Sequence, residues 1–474
     1  MSNFEGRELH FIAIGGAGMS ALALACAALG AKVSGSDQSR SSYIERLRGA
    51  GLEPRIGHDP EAVPAAAEVV VSTAIGDDNP ELRRARERGQ RILHRSELMA
   101  ELTATGRLIA VAGAHGKTTT SGMIAHALRT SGAKPSFLLG GELPGAGPGG
   151  EPANADWNAG GLIVAEADES DGSFLRLRPE VAAITNVELD HHSHWSGEAD
   201  LHRAFGEFRD SSDRAVVPAG AALDHLAREG DLRFAVEGPS TSSPSVADLL
   251  AREIEPTAGG NRFTLDHPRG EPLEVLLGVP GRHNVANATC AIAALLAAGV
   301  GMESGPGLPS LDEVAAALAS FPGMARRQER KGLASGAIVY DDYAHHPTEV
   351  EAALRAMREL PHRRLIVIFQ PHLYSRTKAL ASRFGRALAL ADEVGVLDVY
   401  AARERPEGEL AGISGRLVAA ATAAAAPGVR VMWLGDAETA VEVVGAELGE
   451  GDLVVTVGAG DVHRVGEELI ECSR

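Results

Sequence analysis

The chain has 474 residues, too many for one core, and its 44% hydrophobic and 23% charged residues are those of a water-soluble globular protein of two to four domains. Against 45 basic groups stand 64 acidic ones, a formal net charge of −19 that excludes a general affinity for nucleic acid or anionic membrane, so an anionic ligand must be held by local positive groups. Cys26, Cys290 and Cys472 lie too far apart for a paired metal motif or a disulfide framework, which points to a reducing cytoplasm.

The stretch 11–31 carries no charge and is about as long as a membrane span. Gly15, Gly16 and Gly18 break it into a strand at 10–14 and a helix from about Met19 to Leu29, closed by Gly30; the polar residues before it predict no signal peptide. Strands at 32–36 and 68–72 and a helix at 95–102 complete a first domain, 1–102. In it Gly15-Gly16-Ala17-Gly18-Met19-Ser20 joins strand to helix, and Asp37 ends the next strand about 20 residues on, as in a dinucleotide-binding unit. The glycine spacing suits NAD. Because only backbone N–H groups and the helix dipole touch the ligand, it suits a nucleotide-sugar diphosphate equally.

The second domain, 103–322, opens with a buried parallel strand at 107–112. Gly113-Ala114-His115-Gly116-Lys117-Thr118-Thr119-Thr120 follows, then helical spacing through Met123, Ile124, Ala127 and Leu128 over 117–130. Glycines let backbone N–H groups approach phosphate at the positive helix end, Lys117 adds a charge and Thr118 a magnesium ligand, so this is a loop for a nucleoside triphosphate. It is shorter than the common form, which has a glycine where Val111 stands. The Gly/Pro-rich stretch 142–158 reads as a mobile surface loop. A strand at 162–165 delivers Glu166, Asp168, Glu169 and Asp171 to the sheet edge where they become hard oxygen ligands for magnesium. A strand at 181–185 leads into Asn186 and on to Asp190-His191-His192-Ser193-His194-Trp195, whose spacing fits no structural zinc site; Asp190 and His191 suit a second metal or a polar shell around the reacting phosphate.

The third domain, 323–474, has strands near 337–340, 364–369, 394–399, 429–434 and 453–457, with the Ala-rich 419–426 in a packed helix. Two strand ends rich in polar groups, 340–349 and 369–377, place Asp342, His345, His372 and Arg376 on one sheet edge, suited to carboxylate and amine recognition. Alternating strands and helices throughout make the fold α/β with parallel sheets.

Taken in order, GGAGMS (15–20), GAHGKTTT (113–120), EADESDGSFL (166–175), TNVELDHH (185–192), GRHNVANA (281–288), GMARR (323–327), DDYAHHPTEV (341–350), FQPHLYSRT (369–377), DVYAARE (398–404) and GAGD (458–461) resemble the Mur ligases of peptidoglycan synthesis, and their alanine-adding branch above all. The resemblance covers essentially the whole chain. It implies an N-terminal Rossmann-like UDP-binding domain, a central P-loop mononucleotide-binding α/β domain for ATP, and a C-terminal Rossmann-like amino-acid-binding domain that closes over the central one. The implied reaction is ATP-dependent joining of L-alanine to the carboxylate of UDP-N-acetylmuramate through an acyl phosphate, without nucleic acid or membrane insertion, by a monomer or weak homodimer.

The same resemblance implies residue roles. Gly16, Ala17, Gly18, Met19 and Ser20 hold the UDP diphosphate rather than NAD, with uridine near Asp37 and the turn Ser72-Thr73-Ala74. ATP is held by Gly113, Ala114, His115, Gly116, Lys117, Thr118 and Thr119, with His283, Asn284 and Asn287 on the adenine side and Arg327 and Asp342 beyond. Thr118, Glu166 and His191 hold Mg2+, with Glu169 the alternative to Glu166 as inner ligand. Lys117, Glu166 and His191 serve phosphoryl transfer, and His191 also faces the sugar; Arg376 takes the alanine carboxylate, and His345 or His372 orients or deprotonates the amine. Relatives carry DHMDxY where this chain has 190–195, and an arginine where Leu373 stands. Other Mur ligases bridge magnesium with a carbamylated lysine, a device excluded here because no lysine lies between Lys134 and Lys331. The rival readings are a recycling ligase that adds a preformed tripeptide, a dehydrogenase, and a nucleotide-binding regulator without turnover.

Overall fold

The computed structural model describes residues 4–147, 149–158, 161–189, 195–238, 247–257, 259–301, 308–402 and 404–473. Their strands form three sheets. The first contains β1 (Glu8–Ile12), β2 (Lys32–Asp37), β3 (Arg55–Ile56), β4 (Glu68–Val71) and β5 (Ile92–His94) in the order β3-β2-β1-β4-β5, all parallel. Its helices are α1 (Ala17–Ala28), α2 (Ser42–Gly49), α3 (Pro80–Glu87) and α4 (Arg95–Thr103). β1 lies two residues earlier than the apolar pattern suggests. Ala13 takes a left-handed φ of 60°, which ends the strand, while Ile14 N still donates to Ser36 O at 2.9 Å and so continues the apolar run past the turn.

The second sheet holds β6 (Arg107–Ala112), β7 (Ser136–Leu143), β8 (Ala153–Asp156), β9 (Leu162–Glu166), β10 (Val181–Ile184), β11 (Arg214–Pro218), β12 (Leu232–Val236), β13 (Leu249–Pro256), β14 (Asn261–Asp266) and β15 (Leu273–Leu277). Its order is β15-β14-β13-β12-β11-β10-β6-β9-β7-β8. α5 (Lys117–Thr130) leaves β6 directly, and β9 and β10 flank β6 in parallel, so both polar segments end beside the phosphate loop. The stretch 142–158 is not the loop its glycines suggested. β8 pairs antiparallel with β7 and buries Ala153, Asn154 and Ala155. Asn154 Nδ2 donates to Ala17 O at 2.7 Å, and Arg46 Nη1 donates to Asn154 Oδ1 at 2.7 Å while also pairing with Glu142. The turn residues are confined to 144–152 and mask a strand only four residues long.

α6 (Glu198–Asp210), α7 (Arg282–Ala297) and α8 (Leu311–Ala319) follow. The third sheet comprises β16 (Glu329–Ala334), β17 (Ala337–Asp342), β18 (Leu365–Phe369), β19 (Glu393–Leu397), β20 (Arg430–Gly435) and β21 (Leu453–Val457) in the order β16-β17-β21-β18-β19-β20, parallel except for β16. α9 (Pro347–Glu359) and α10 (Tyr374–Leu388) start from the strand ends that matter below, and the Ala-rich stretch lies in α11 (Arg416–Ala425), with Val418, Ala419 and Thr422 buried. Alternate residues of β18 and β21 feed two separate cores: Val367 and Val455 enter one, Ile366, Ile368 and Val454 the other.

Two compact units result: 1–253 with 263–276 and 285–322, and 254–262 with 277–284 and 323–474. One apolar cluster runs from Leu9 and Phe11 of the first sheet through Ala165 and Phe205 beside the second, which explains why those sheets share a unit. Among the described residues no helix is long and apolar enough to cross a membrane. Asn154 is fully buried, so Asn154→Ala leaves an arm of Arg46 without its acceptor and takes one of two side-chain donors from the Ala17 carbonyl; urea denaturation is expected to show a loss of about 1–3 kcal/mol.

Candidate active site

The phosphate loop is built from glycines that no other residue replaces. Gly113 (φ 139°) and Gly116 (φ 81°) occupy left-handed backbone, and a Cβ would collide with Thr185 Oγ1 at the first and with Asn287 Oδ1 at the second. The end of β10 props the loop from outside: Thr185 Oγ1 and Asn186 Nδ2 donate to His115 O at 2.6 and 2.8 Å, and His115 N donates to Asn186 Oδ1 at 3.0 Å. His115 Nε2 lies 3.0 Å from Glu188 Oε2.

Lys117 Nζ donates to Gly113 O at 2.6 Å and reaches Glu169 Oε2 at 2.8 Å. Thr118 Oγ1 donates to Glu166 Oε2 at 2.8 Å, which Gly140 N also approaches at 3.0 Å. The acidic run after β9 is thus divided. Glu166 alone faces Thr118; Glu169 belongs to Lys117, and Arg95 Nη2 takes Asp168 at 2.8 Å and Asp171 at 3.2 Å. Of the four carboxylates expected as magnesium ligands, Arg95 of α4 and Lys117 of α5 pair with three, and Glu166 is the one that stands beside Thr118. Burial works to lower the Lys117 ammonium, but Glu169, Glu166 and Asp168 raise it above its ordinary value. Burial raises Glu169, whereas Lys117 and Arg95 overcome burial at Asp168 and hold it well below the usual carboxylate range. A hydroxyl and a carboxylate side by side at a lysine-bearing helix start form an oxygen donor set that fits Mg2+. His191 lies outside the described residues. Trp195 is buried, stacks edge-on against Phe174 and donates Nε1 to Glu169 O at 3.1 Å.

The first glycine loop occupies the adjacent sheet. Gly15 N donates to Asp37 Oδ2 at 2.9 Å, so Asp37 braces the loop. Gly16 caps α1 without a side chain, and the first-turn N–H groups that follow, from Ala17 to Met19, have no intrahelical acceptor. Met19 and Ser20 are buried, and Ser20 Oγ donates to Ala17 O at 2.9 Å, so these two side chains support the loop from below. Ser72 and Thr73 form a turn at the end of β4, with Ile75 N donating to Ser72 O at 3.1 Å. This loop carries no lysine, and the arginine that lies 3.6 Å from where a Cβ on Gly18 would stand, Arg95, was not foreseen.

The second unit gathers its polar residues at the ends of β17, β18 and β21. Asp342 accepts from Ala344 N at 2.7 Å and Gln328 N at 3.1 Å, and burial pushes it up to about 6. Arg326 Nε donates to Asp341 Oδ2 at 3.0 Å, and Arg327 lies over Tyr343, 3.6 Å from Glu349. His345 and His372 have ring centroids 5.9 Å apart, and Arg376 Nη1 lies 3.3 Å from His372 Nδ1. Tyr400 stacks on His372 at 5.9 Å. The expected cluster of Asp342, His345, His372 and Arg376 forms only in part, since the Asp342 carboxylate bonds backbone N–H groups. Gln328 joins His283 (3.3 Å) and Asn284 (3.3 Å), whose Nδ2 also donates to Pro280 O at 2.7 Å; burial depresses His283 to about 4. Arg95, Asn154, Gln328 and Tyr400 were missed, because each acts on a residue distant in sequence.

Three descriptions of the Mur ligase family match the chain: the catalytic domain over residues 8–107, the middle domain over 111–295 and the glutamate ligase domain over 326–460. The chain is 46% identical to a UDP-N-acetylmuramate–L-alanine ligase of Kineococcus radiotolerans, over 98% of this chain and 95% of the relative. It is 43% identical to the enzyme of the same name from Rubrobacter xylanophilus, over 98% and 99%. Among solved structures, UDP-N-acetylmuramate-alanine ligase from Thermotoga maritima superposes with a TM-score of 0.82 at 28% identity over 98% of both chains. A murein peptide ligase from Psychrobacter arcticus superposes with a TM-score of 0.70 at 25% identity, again over 98% of both. With all three sheets matched in order and full-length relatives at this identity, the chain belongs to the Mur ligase family.

Proposed function

We propose that this chain joins the α-amine of L-alanine to the carboxylate of UDP-N-acetylmuramate with ATP and Mg2+, releasing ADP and phosphate, as a step of peptidoglycan precursor synthesis. One observation carries the reading: a single compact unit holds two glycine loops, each opening a helix at the C-terminal edge of parallel strands, and only one has lysine, hydroxyl and carboxylate beside it. The equipped loop suits a magnesium triphosphate that reacts. The bare loop suits a diphosphate that is only held. Relatives named for the alanine-adding reaction support the choice of substrates, which are small cytoplasmic molecules; the enzyme works there as a monomer or weak homodimer.

The chemistry is two transfers. A carboxylate oxygen of the sugar attacks the γ-phosphorus and the bond to ADP breaks; the amine then attacks the acyl carbonyl, and phosphate leaves with the electrons of the C–O bond. Backbone N–H groups from Gly113 to Thr119 hold phosphate oxygens, and Lys117, kept charged by its carboxylates, meets the charge that grows on the transferring group. Thr118 and Glu166 would hold Mg2+, which neutralises the β- and γ-oxygens when bound; His191 is assigned by sequence as a further ligand. His283, Asn284 and Asn287 serve adenine, with Arg327 and Asp342 beyond, and Gly16 to Ser20, Asp37, Ser72 and Thr73 serve UDP. Arg376 takes the alanine carboxylate.

The two histidines are told apart by their partners. His372 Nδ1 accepts from Arg376, which puts the neutral ring's proton on Nε2 and makes it a donor. His345 Nδ1 faces Tyr343 O at 3.0 Å and lies 3.5 Å from Glu349 Oε2, both acceptors, so in the neutral ring the proton sits on Nδ1 and Nε2 is the basic nitrogen. His345 is therefore assigned as the base for the amine and His372 as the residue that orients Arg376.

Phosphate release with ATP, Mg2+ and UDP-N-acetylmuramate tests the reading: dependence on L-alanine over glycine, L-serine and a murein tripeptide is expected, release with the tripeptide alone would move it to a recycling ligase, and no release would leave a binding protein. Lys117→Ala is expected to lower kcat by at least about a hundredfold, roughly 3 kcal/mol of transition-state stabilisation. Arg376→Ala is expected to raise KM for alanine by about tenfold or more with KM for ATP unchanged, and an unaltered alanine KM would remove its assignment.

A further inference from the structure

A cavity of about 210 Å³ lies in the first unit between the start of α1 and the polar end of β9. Its walls are largely apolar, with Leu22, Met99, Leu138 and Phe174 among them, while Ala17 and Gly18 of α1 border it along with Glu166 and Asp168. Arg95 is the one cation that lines it. The guanidinium is used unevenly. Nη2 is committed to Asp168 and Asp171, whereas Nη1 makes no hydrogen bond among the described residues and lies 3.6 Å from where a Cβ on Gly18 would stand. The bound arm fixes the plane of the fork, and the open arm points at the first turn of α1.

A diphosphate at that turn needs more than the turn supplies. The dipole of a helix start is worth about half an elementary charge and the loop 13–20 has no cation, while Glu166 and Asp168 border the same cavity in a chain of net charge −19. Arg46, the other arginine near α1, is consumed by Glu142 and Asn154. A planar guanidinium with one arm held and one arm open is suited to an anionic oxygen pair.

We propose that Arg95 binds the diphosphate of the nucleotide-sugar substrate through Nη1, with Asp168 and Asp171 as positioning residues that aim it. The assignment rests on reading the first glycine loop as the UDP site. It makes Arg95 a link between that diphosphate and the acidic run beside Lys117.

The test compares binding of UDP and of uridine to the full chain and to Arg95→Gln, by calorimetry or competition. The expected result is a UDP affinity lowered by about tenfold or more, with uridine affinity within about twofold of wild type. Equal losses for UDP and uridine, which mark a purely structural role, overturn the proposal, as does an unchanged UDP affinity. Should Arg95→Gln fail to fold, Arg95→Lys carries the same comparison: it keeps the charge and loses the fork, so a ratio of UDP to uridine affinity reduced about threefold or more supports the proposal and an unchanged ratio overturns it. Wild-type chain that binds no UDP overturns the reading of the loop itself, and the proposal with it.

Discussion

Lys117 and Arg95 divide between them the carboxylates that follow β9. Glu169 goes to the lysine, Asp168 and Asp171 go to the arginine, and Glu166 is left beside Thr118. A chain already rich in negative charge has placed four carboxylates within six residues at the site that must accept a triphosphate. Unscreened, such groups would repel it by several kcal/mol at the short distances and reduced dielectric of a half-buried cleft. Neutralising three of them locally leaves one available to a metal, and it keeps the lysine ionised despite its burial. Because Arg95 belongs to the first sheet's last helix and Asp168 to the second sheet's edge, the same ion pairs also join the two glycine loops into one framework.

What could be read from the sequence was what acts locally. The phosphate loop and α5 were legible because strand, glycines, lysine and helix follow one another without a gap, and the structure puts α5 at the expected residues. The division of the carboxylates was not, since Arg95 sits 73 residues before Asp168 and nothing in its own surroundings marks it. Asn154 illustrates a second reason: its strand is four residues long and embedded among turn-forming residues, so composition spoke for a loop while burial and two hydrogen bonds decided for a strand. β1 shows a third, in that apolar residues continue past the point where a backbone turn at Ala13 ends the strand.

In the second unit the sequence identified the right strand ends but not how their side chains share partners. Asp342 lies where its position in β17 requires, yet it bonds the backbone rather than the histidines. Tyr400 and Gln328, which support His372 and His283, come from other segments, and neither the motif at 398–404 that contains Tyr400 nor the residues around Gln328 show which side chain they reach. The two imidazoles also differ in their partners, since Nδ1 of His372 meets Arg376 and Nδ1 of His345 meets the Tyr343 carbonyl, a difference that residue identity does not show.

The strand β8 has an implication for how this chain tolerates change in length. Its anchoring rests on Ala153, Asn154 and Ala155, and none of the described residues at 144–147 and 149–152 that lead into it lines the cavity beside the start of α1. Lengthening such a turn costs only about 0.6 kcal/mol for each doubling of its residues. Added residues there leave the register of β7 with β8 and the grip on Ala17 intact, so this is the point at which a label or an extra module can be spliced into the enzyme without reaching its chemistry.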